Sequence, residues 1–278
     1  MHKEKSIAVV ICYFGKFPWY IDYFIHSCQF NPTVDFYIIT DITSYTKPLP
    51  QNVRFIRMSM ADVAAIASEK LGFEANILFP YKLCDLKPAY GLIFSDIIKD
   101  YDFWGQSDLD IIYGNIRSFI TDDMLSAYDF ISIRHDYTTG CFALYKNNEL
   151  MNSFFKRSKD YQKVFSSPRH FCFDECNFMH DLLTDGASIF ELNTEIESFT
   201  HIVRLAEETG EIKAHFDFIL LEGVPGKIKF DKGAVLYNKK FEGILYHLYW
   251  LKRVYKPKSI PVNIPDSYYI SPSRIYSR

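Results

Sequence analysis

The chain has 278 residues, 48% of them hydrophobic and 23% charged, and a formal net charge of −3 at pH 7. A chain of this length forms one or two folded units that bury roughly three-quarters of their unfolded surface. With no dominant basic run, the charge balance argues against a nucleic-acid partner, whose phosphates must be neutralised.

The chain then reads in order. Ser6 to Cys12 is a continuous β-branched apolar run, as in a parallel strand buried on both faces. Pro18 fits a first helical turn, with Trp19, Tyr23, Phe24 and Ser27 following on one face. Strands are expected at Val34 to Thr40 and Val53 to Met58, and a helix at Asp62 to Leu71 stopped by Gly72. Asp85 is placed to cap a helix that Pro88 enters and that continues through Leu92, Ile93 and Ile97. A short strand follows Tyr101 and ends at the sequence SDLD, residues 107–110. Further strands are expected at Tyr128 to Arg134 and Cys141 to Tyr145, with helices at Asn148 to Val164 and Asp174 to Leu183. Beyond residue 210 the pattern turns β-like again, punctuated by Pro225, Gly226 and Gly233.

This alternation points to an α/β fold with a mixed, mostly parallel central sheet flanked by helices. With no repeat or linker, residues 1–255 read as one domain and 256–278 as an extended, proline-rich tail. The basic residues Lys252, Arg253, Lys256 and Lys258 could touch an anionic membrane surface, or simply be solvated. No apolar stretch approaches the roughly 20 residues of a membrane span, and the start of the chain shows no cleavage pattern. Cytoplasmic residence is therefore expected, with peripheral contact at the cytoplasmic face of an inner membrane as an option.

Six cysteines in so long a chain do not make a disulfide framework and read as reduced. Cys172 and Cys176 are the only close pair, and the lack of a second cysteine or histidine pair argues against zinc there. The 25 Phe and 20 Tyr fit either core packing or a groove for sugars or a base.

The chemistry concentrates at Asp108 and Asp110. Two acids at i and i+2 after a strand point to the same side. In an ideal strand their Cβ atoms would be about 6.6 Å apart, too far for both to ligate one small cation directly unless the chain turns. Hard oxygen ligands favour Mg²⁺ or Mn²⁺ and leave positions for substrate phosphates. A polar loop rim with solvated acids would also carry this pattern.

The short strand followed by SDLDIIYGNI resembles the D-x-D motif of GT-A fold glycosyltransferases. The preceding YKLCDLKPAYG is similar to the matching segment of bacterial polysaccharide and lipopolysaccharide members, and the order of elements agrees over about residues 6–250. The resemblance implies a single Rossmann-like nucleotide-diphospho-sugar transferase domain. It implies that Asp108 and Asp110 hold Mn²⁺ or Mg²⁺, that His247 completes the site, and that a UDP-sugar is the donor. Cys12, Tyr13 and Phe14 would then lie near the base and Asp41 near base or ribose. Ser107, Lys82, Asp85 and Lys87 would line the donor site, the lysines balancing the diphosphate charge or simply forming a helical face.

Transfer to a glycan or lipid-linked saccharide by inversion needs a general base, for which Asp136, Asp174 and Glu175 are candidates. The last two equally suit a helix N-terminus. Gly140 resembles the small residue that lets a sugar approach the backbone, and Trp104, Tyr137, Tyr249 and Trp250 are candidates for stacking on sugar or base. The alternatives are a nucleotidyltransferase or phosphotransferase, disfavoured by the lack of a phosphate-binding glycine loop, or a non-catalytic carbohydrate-binding protein.

Overall fold

A computed structural model describes residues 4–224 and 226–277; Pro225, expected at a turn, lies outside the described residues. The first half follows the apolar pattern closely, as β1 (Ile7–Cys12), α1 (Ile21–Cys28), β2 (Val34–Thr40), β3 (Val53–Arg57) and α2 (Met60–Leu71). Pro18 stands before α1 rather than in its first turn, its carbonyl accepting a bond from the Ile21 N–H. Helix α2 starts where Ser59 and Asp62 satisfy each other's backbone N–H, and ends at Gly72 with φ 79°, a conformation that favours glycine.

The central sheet continues with β4 (Phe103–Ser107), β6 (Phe130–Ser132), β7 (Phe142–Lys146) and β8 (Ala214–Phe216), in the order β3-β2-β1-β4-β7-β6-β8. Every neighbouring pair is parallel except those made by β7. This is the mixed, mostly parallel α/β sheet that the alternation implies. Ile7, Val9 and Ile11 face the layer holding α1, and Ala8 and Val10 face the layer holding α2, so β1 is buried on both sides.

Three expected helices are broken. Residues 80–98 form a chain of short helical turns, because Pro88 has no N–H to continue the ladder. Asp85 caps nothing: it is buried within those turns, where it accepts the N–H groups of Phe171 and Phe173. The segment from Asn148 to Val164 splits into Glu149–Asn152, Phe154–Arg157 and Tyr161–Ser166, with the Ser158 hydroxyl turned away to the Glu197 carbonyl. From Asp174 to Leu183 only the end is helical, at His180–Thr184. The preceding turn carries positive φ at Cys172, Asn177 and Phe178, held by the bonds to Asp85 and by Asn177 on the Phe171 carbonyl.

After α3 (Phe199–Glu208) comes a second, antiparallel sheet with β9 (Ile228–Asp231), β10 (Ala234–Tyr237) and β11 (Phe241–Gly243). The segment expected as an extended tail is not one throughout. Its residues form β13 (Ser267–Ser271) and β14 (Arg274–Tyr276), and β13 pairs with β9 in the order β11-β10-β9-β13-β14. Tyr23 and His26 of α1 pack on Tyr268 and Phe230 of this sheet, so the C-terminal strands share the core. A two-stranded ladder, β5 (Ile111–Tyr113) with β12 (Leu245–His247), joins the two halves. Among the described residues, no helix is long and apolar enough to cross a membrane.

Candidate active site

Strands β2 and β4 lie on opposite sides of β1, both parallel to it, so the chain order reverses there. In open α/β sheets such a switch point leaves a crevice beyond the carboxyl ends of the strands, where ligands bind. Two segments reach it: the chain at Tyr13 after β1, and Asp108 to Asp110 after β4.

The chain bends over Leu109 and Asp110 before entering β5. Leu109 is buried in the core, and the Asp110 carbonyl accepts the N–H of Leu248. The β5–β12 register sets His247 opposite Ile111. One oxygen each from Asp108 and Asp110 and one nitrogen of His247 thereby lie within 4.8 Å of one another. The bend is what the straight-strand estimate of carboxylate spacing could not include. Asp110, expected on a polar rim, is 5% exposed, whereas Asp108 is partly open.

The counter-charges are lysines. The Lys87 ammonium bonds Asp108 at 2.6 Å and the Gly140 carbonyl at 2.8 Å, and lies 3.8 Å from Asp174. Lys252, at the start of α4 (Leu251–Val254), bonds Asp110 at 2.5 Å, with His247 at 3.3 Å from the same oxygen. Burial alone would raise the Asp110 pKa, but His247 and Lys252 hold it well below the ordinary range. Burial would lower that of His247, yet Asp110 and Glu222 lift it to about 9. The second nitrogen of His247, Nδ1, is buried without a hydrogen bond, 3.7 Å from Glu222. The donor set of two carboxylates and an imidazole, its negative charge matched by two lysine ammonium groups, fits a divalent cation.

Beside this cluster, Gly140 donates its N–H to Glu175 at 2.8 Å. A Cβ on Gly140 would fall 2.5 Å from Asp174 Oδ2 and 3.1 Å from Glu175 Oε1, so glycine is required by the close approach of both acids. The other Glu175 oxygen lies 2.8 Å from His180 Nε2. Burial raises the Asp174 pKa well above the carboxylate range, with the neighbouring Glu175 adding to it and Lys87 opposing. Burial is overcome at Glu175, which His180 and the Gly140 N–H bring to about 2.

Several expected site residues lie elsewhere or are already engaged. Trp104 is fully buried, stacked on Tyr145 at 4.0 Å with its N–H on Asn152, and offers no face to a sugar. Lys82 and Asp85 are a fully buried pair at 2.8 Å, and Lys82 also bonds the carbonyls of Val164 and Arg169, so neither reaches a diphosphate. The hydroxyl of Ser107 bonds the Cys141 carbonyl and accepts from Tyr113. Asp136 is not a free base, since Arg134 grips both its oxygens and Thr184 bonds one of them. Tyr137 is buried between Arg134 and His180, and Phe14 is core.

Others stay at the crevice. Tyr13 stands just beyond β1, partly buried, and burial and the Asp110 charge both raise its pKa. Asp41 is exposed and accepts the Gly15 N–H, and Cys12 is partly buried at the end of β1. Tyr249 and Trp250 are partly exposed just after His247. Lys252, Glu222 and His180 were missed. Only the short spacing of Lys252 from His247, and of His180 from Glu175, hinted at them.

A family described as "Family of unknown function (DUF6625)" matches residues 9–278. The chain belongs to that family. No curated protein matches the sequence. Among solved structures, the galactosyltransferase LgtC in complex with donor and acceptor sugar analogues is similar at 12% identity with a TM-score of 0.35, over 77% of this chain and 75% of that one. An active-site mutant of LgtC gives the same figures. Likeness of that degree carries no argument about the fold or the activity of this chain.

Proposed function

We propose that this protein is a metal-dependent glycosyltransferase of GT-A type that moves a sugar from a nucleoside diphosphate donor, UDP before others, to a hydroxyl of a glycan or lipid-linked saccharide. Bacterial surface polysaccharide synthesis at the cytoplasmic face of the membrane is the setting we favour. The observation that carries the proposal is the convergence of Asp108, Asp110 and His247 at the switch point of the sheet.

Those three residues would hold Mn²⁺ or Mg²⁺, which supplies charge to the leaving diphosphate without a proton donor. Burial would lower the Lys87 pKa, but Asp108 and then Asp174 raise it well above its ordinary value, so the ammonium stays charged and keeps Asp108 oriented. Lys252 is free to leave Asp110 on its flexible stem and follow the negative charge of the diphosphate. Tyr13 and Asp41 lie at the nucleoside end, and Tyr249 and Trp250 at the rim where a saccharide would stack.

For the acceptor proton, Asp174 is the group we assign. Asp136 is gripped through both oxygens by Arg134, whereas Asp174 has Lys87 at 3.8 Å, whose charge opposes the effect of burial and favours the ionised carboxylate that a base must be. Glu175 has both oxygens engaged and acts as a positioning residue through the Gly140 N–H.

The test is a thermal-shift panel with UDP, GDP, CMP and ADP, each with Mn²⁺ and with EDTA. One nucleotide should stabilise the protein only with metal, and Asp108→Ala and Asp110→Ala should lose the response. Absence of any response at about millimolar nucleotide, well above ordinary substrate affinities, defeats the proposal.

A further inference from the structure

A second cluster adjoins Gly140, whose N–H bonds Glu175. Cys172 Sγ is 3.5 Å from Glu175 Oε2 and 3.6 Å from His180 Nε2, and the latter two are 2.8 Å apart. One sulfur, one oxygen and one nitrogen thus form a triangle whose corners all lie within 4.8 Å of one another.

The dimensions of that triangle can be compared with a known coordination facet. With Zn–S about 2.3 Å and Zn–N and Zn–O about 2.1 Å, a tetrahedral zinc centre has S···N and S···O edges of about 3.6 Å and an N···O edge of about 3.4 Å. The two sulfur edges agree with the distances found. The N···O edge, 2.8 Å, is shorter because His180 and Glu175 hydrogen-bond each other, and it opens by about 0.6 Å when a cation replaces the proton between them.

We infer that Cys172, Glu175 and His180 form a binding site for a zinc-like, borderline-soft divalent cation, distinct from the oxygen-rich site at Asp108 and Asp110. The ligand atoms come from a single short stretch in which Cys172 takes a positive φ, so the turn itself aims the sulfur at the other two groups. The outer oxygen of the glutamate is fixed by the Gly140 N–H, the kind of orienting bond that metal-binding carboxylates usually have. The His180 ring lies against Tyr137, at 5.1 Å between centroids. Cys176, close to Cys172 in sequence, is fully buried in the apolar cluster with Leu183 and Ile189.

Three protein ligands leave one tetrahedral position. The His180 and Glu175 side chains are partly exposed, so that position opens toward solvent and takes water or an oxygen of a bound molecule. Burial and the Glu175 charge push the Cys172 thiol pKa up, and a bound cation reverses this by taking the thiolate, with the thiol proton passing to solvent. Because Gly140 bonds Glu175 through its N–H and Lys87 through its carbonyl, occupancy of the site would set the position of the Asp174–Glu175 turn beside Lys87. The inference does not depend on the glycosyltransferase reading.

The experiment uses the full chain, stripped with a chelator and supplied with excess Mg²⁺ to fill the oxygen-rich site. Co²⁺ is then titrated and the near-ultraviolet sulfur-to-cobalt charge-transfer band recorded, which a site without thiolate cannot produce. The band should saturate near one equivalent and disappear on adding Zn²⁺. It should be absent in Cys172→Ser, be weakened by about tenfold or more in His180→Ala, and persist in Asp110→Ala. No band in the wild-type chain, or a band that survives Cys172→Ser, overturns the site. X-ray absorption of the zinc-loaded wild-type protein adds a check that needs no variant: a Zn–S distance near 2.3 Å supports the site, and a shell of oxygen and nitrogen alone overturns it.

Discussion

Two acidic networks flank the crevice and meet at Glu222. In one, Asp110 faces Lys252 and His247. In the other, Asp136 is held through both oxygens by Arg134, which also pairs with Glu222. Both acids are held below the ordinary carboxylate range, so a lowered pKa does not distinguish them. Their counter-ions do. Lysine is a point charge on a flexible stem that another cation can replace, whereas the arginine fork matches the carboxylate at two points. An acid poised for a metal or substrate keeps a removable partner; an acid that builds the wall has a fixed one.

The largest effect on nucleotide binding expected from this contrast belongs to Asp110→Asn. The variant keeps the shape of the side chain but removes the charge, and the metal-dependent response to nucleotide should fall by 100-fold or more in apparent affinity, on the order of 3 kcal/mol. Because Asp110 is buried beside Lys252 and His247, some thermal stability should go with it. A nucleotide titration in Mn²⁺ followed by light scattering or calorimetry decides the matter. An unchanged response would place the cation elsewhere.

Next comes Arg134→Met. Removing one partner of a buried pair strands the others, here Asp136 and Glu222, and costs about 3–5 kcal/mol. Urea unfolding should report that loss, while any variant protein that remains folded should still bind nucleotide with metal. If binding vanished at full stability, Arg134 would belong to the site and the contrast would fail.

The same contrast explains what could be read from the chain in advance. Strands β1 to β3 and helix α2 were legible because their side chains alternate or recur with one period and their ends carry local signals such as Ser59 and Gly72. Asp108 and Asp110 were legible as a pair, but their convergence needed a bend that no local signal announces. His247 came only through a resemblance, since its position depends on the β5–β12 register across the whole fold. A helix is expected from Asp174 to Leu183 because the acids at its start suit a helix N-terminus, yet the residues before His180 form a turn. Asp85, nearly ninety residues earlier, holds it otherwise through bonds that span the chain. Trp104 shows the opposite failure: its aromatic character is the same whether it lines a groove or, as here, stacks in the core.

A smaller effect should appear in acid. Burial tends to raise the Asp136 carboxyl, but the bonds from Arg134 and Thr184 and the arginine charge bring it below its ordinary value. A depressed folded-state value contributes stability that is present above the unfolded value, about 3.9, and is lost as pH falls through the folded one. Wild-type stability should therefore decline below about pH 4, and Asp136→Asn should show a lower plateau with a shallower decline. Equal slopes in urea titrations from pH 5 to 3 would mean that Asp136 is not what the acid limb reports.

The smallest effect is the sharpest test of the idea that the counter-ion is replaceable. In the absence of nucleotide, the Lys252 ammonium and a divalent cation compete for the same Asp110 oxygen. Lys252→Met removes the competitor and keeps the length of the stem, so Mn²⁺ should bind the nucleotide-free variant more tightly, by up to about tenfold or 1.4 kcal/mol. With nucleotide present the sign should reverse, because the lysine that gave way to the cation is no longer there to meet the diphosphate. Calorimetric titration of Mn²⁺ with and without nucleotide measures both arms on one sample. Tighter binding in both arms would reduce Lys252 to a plug, and weaker binding in both would make it part of the wall, as Arg134 is.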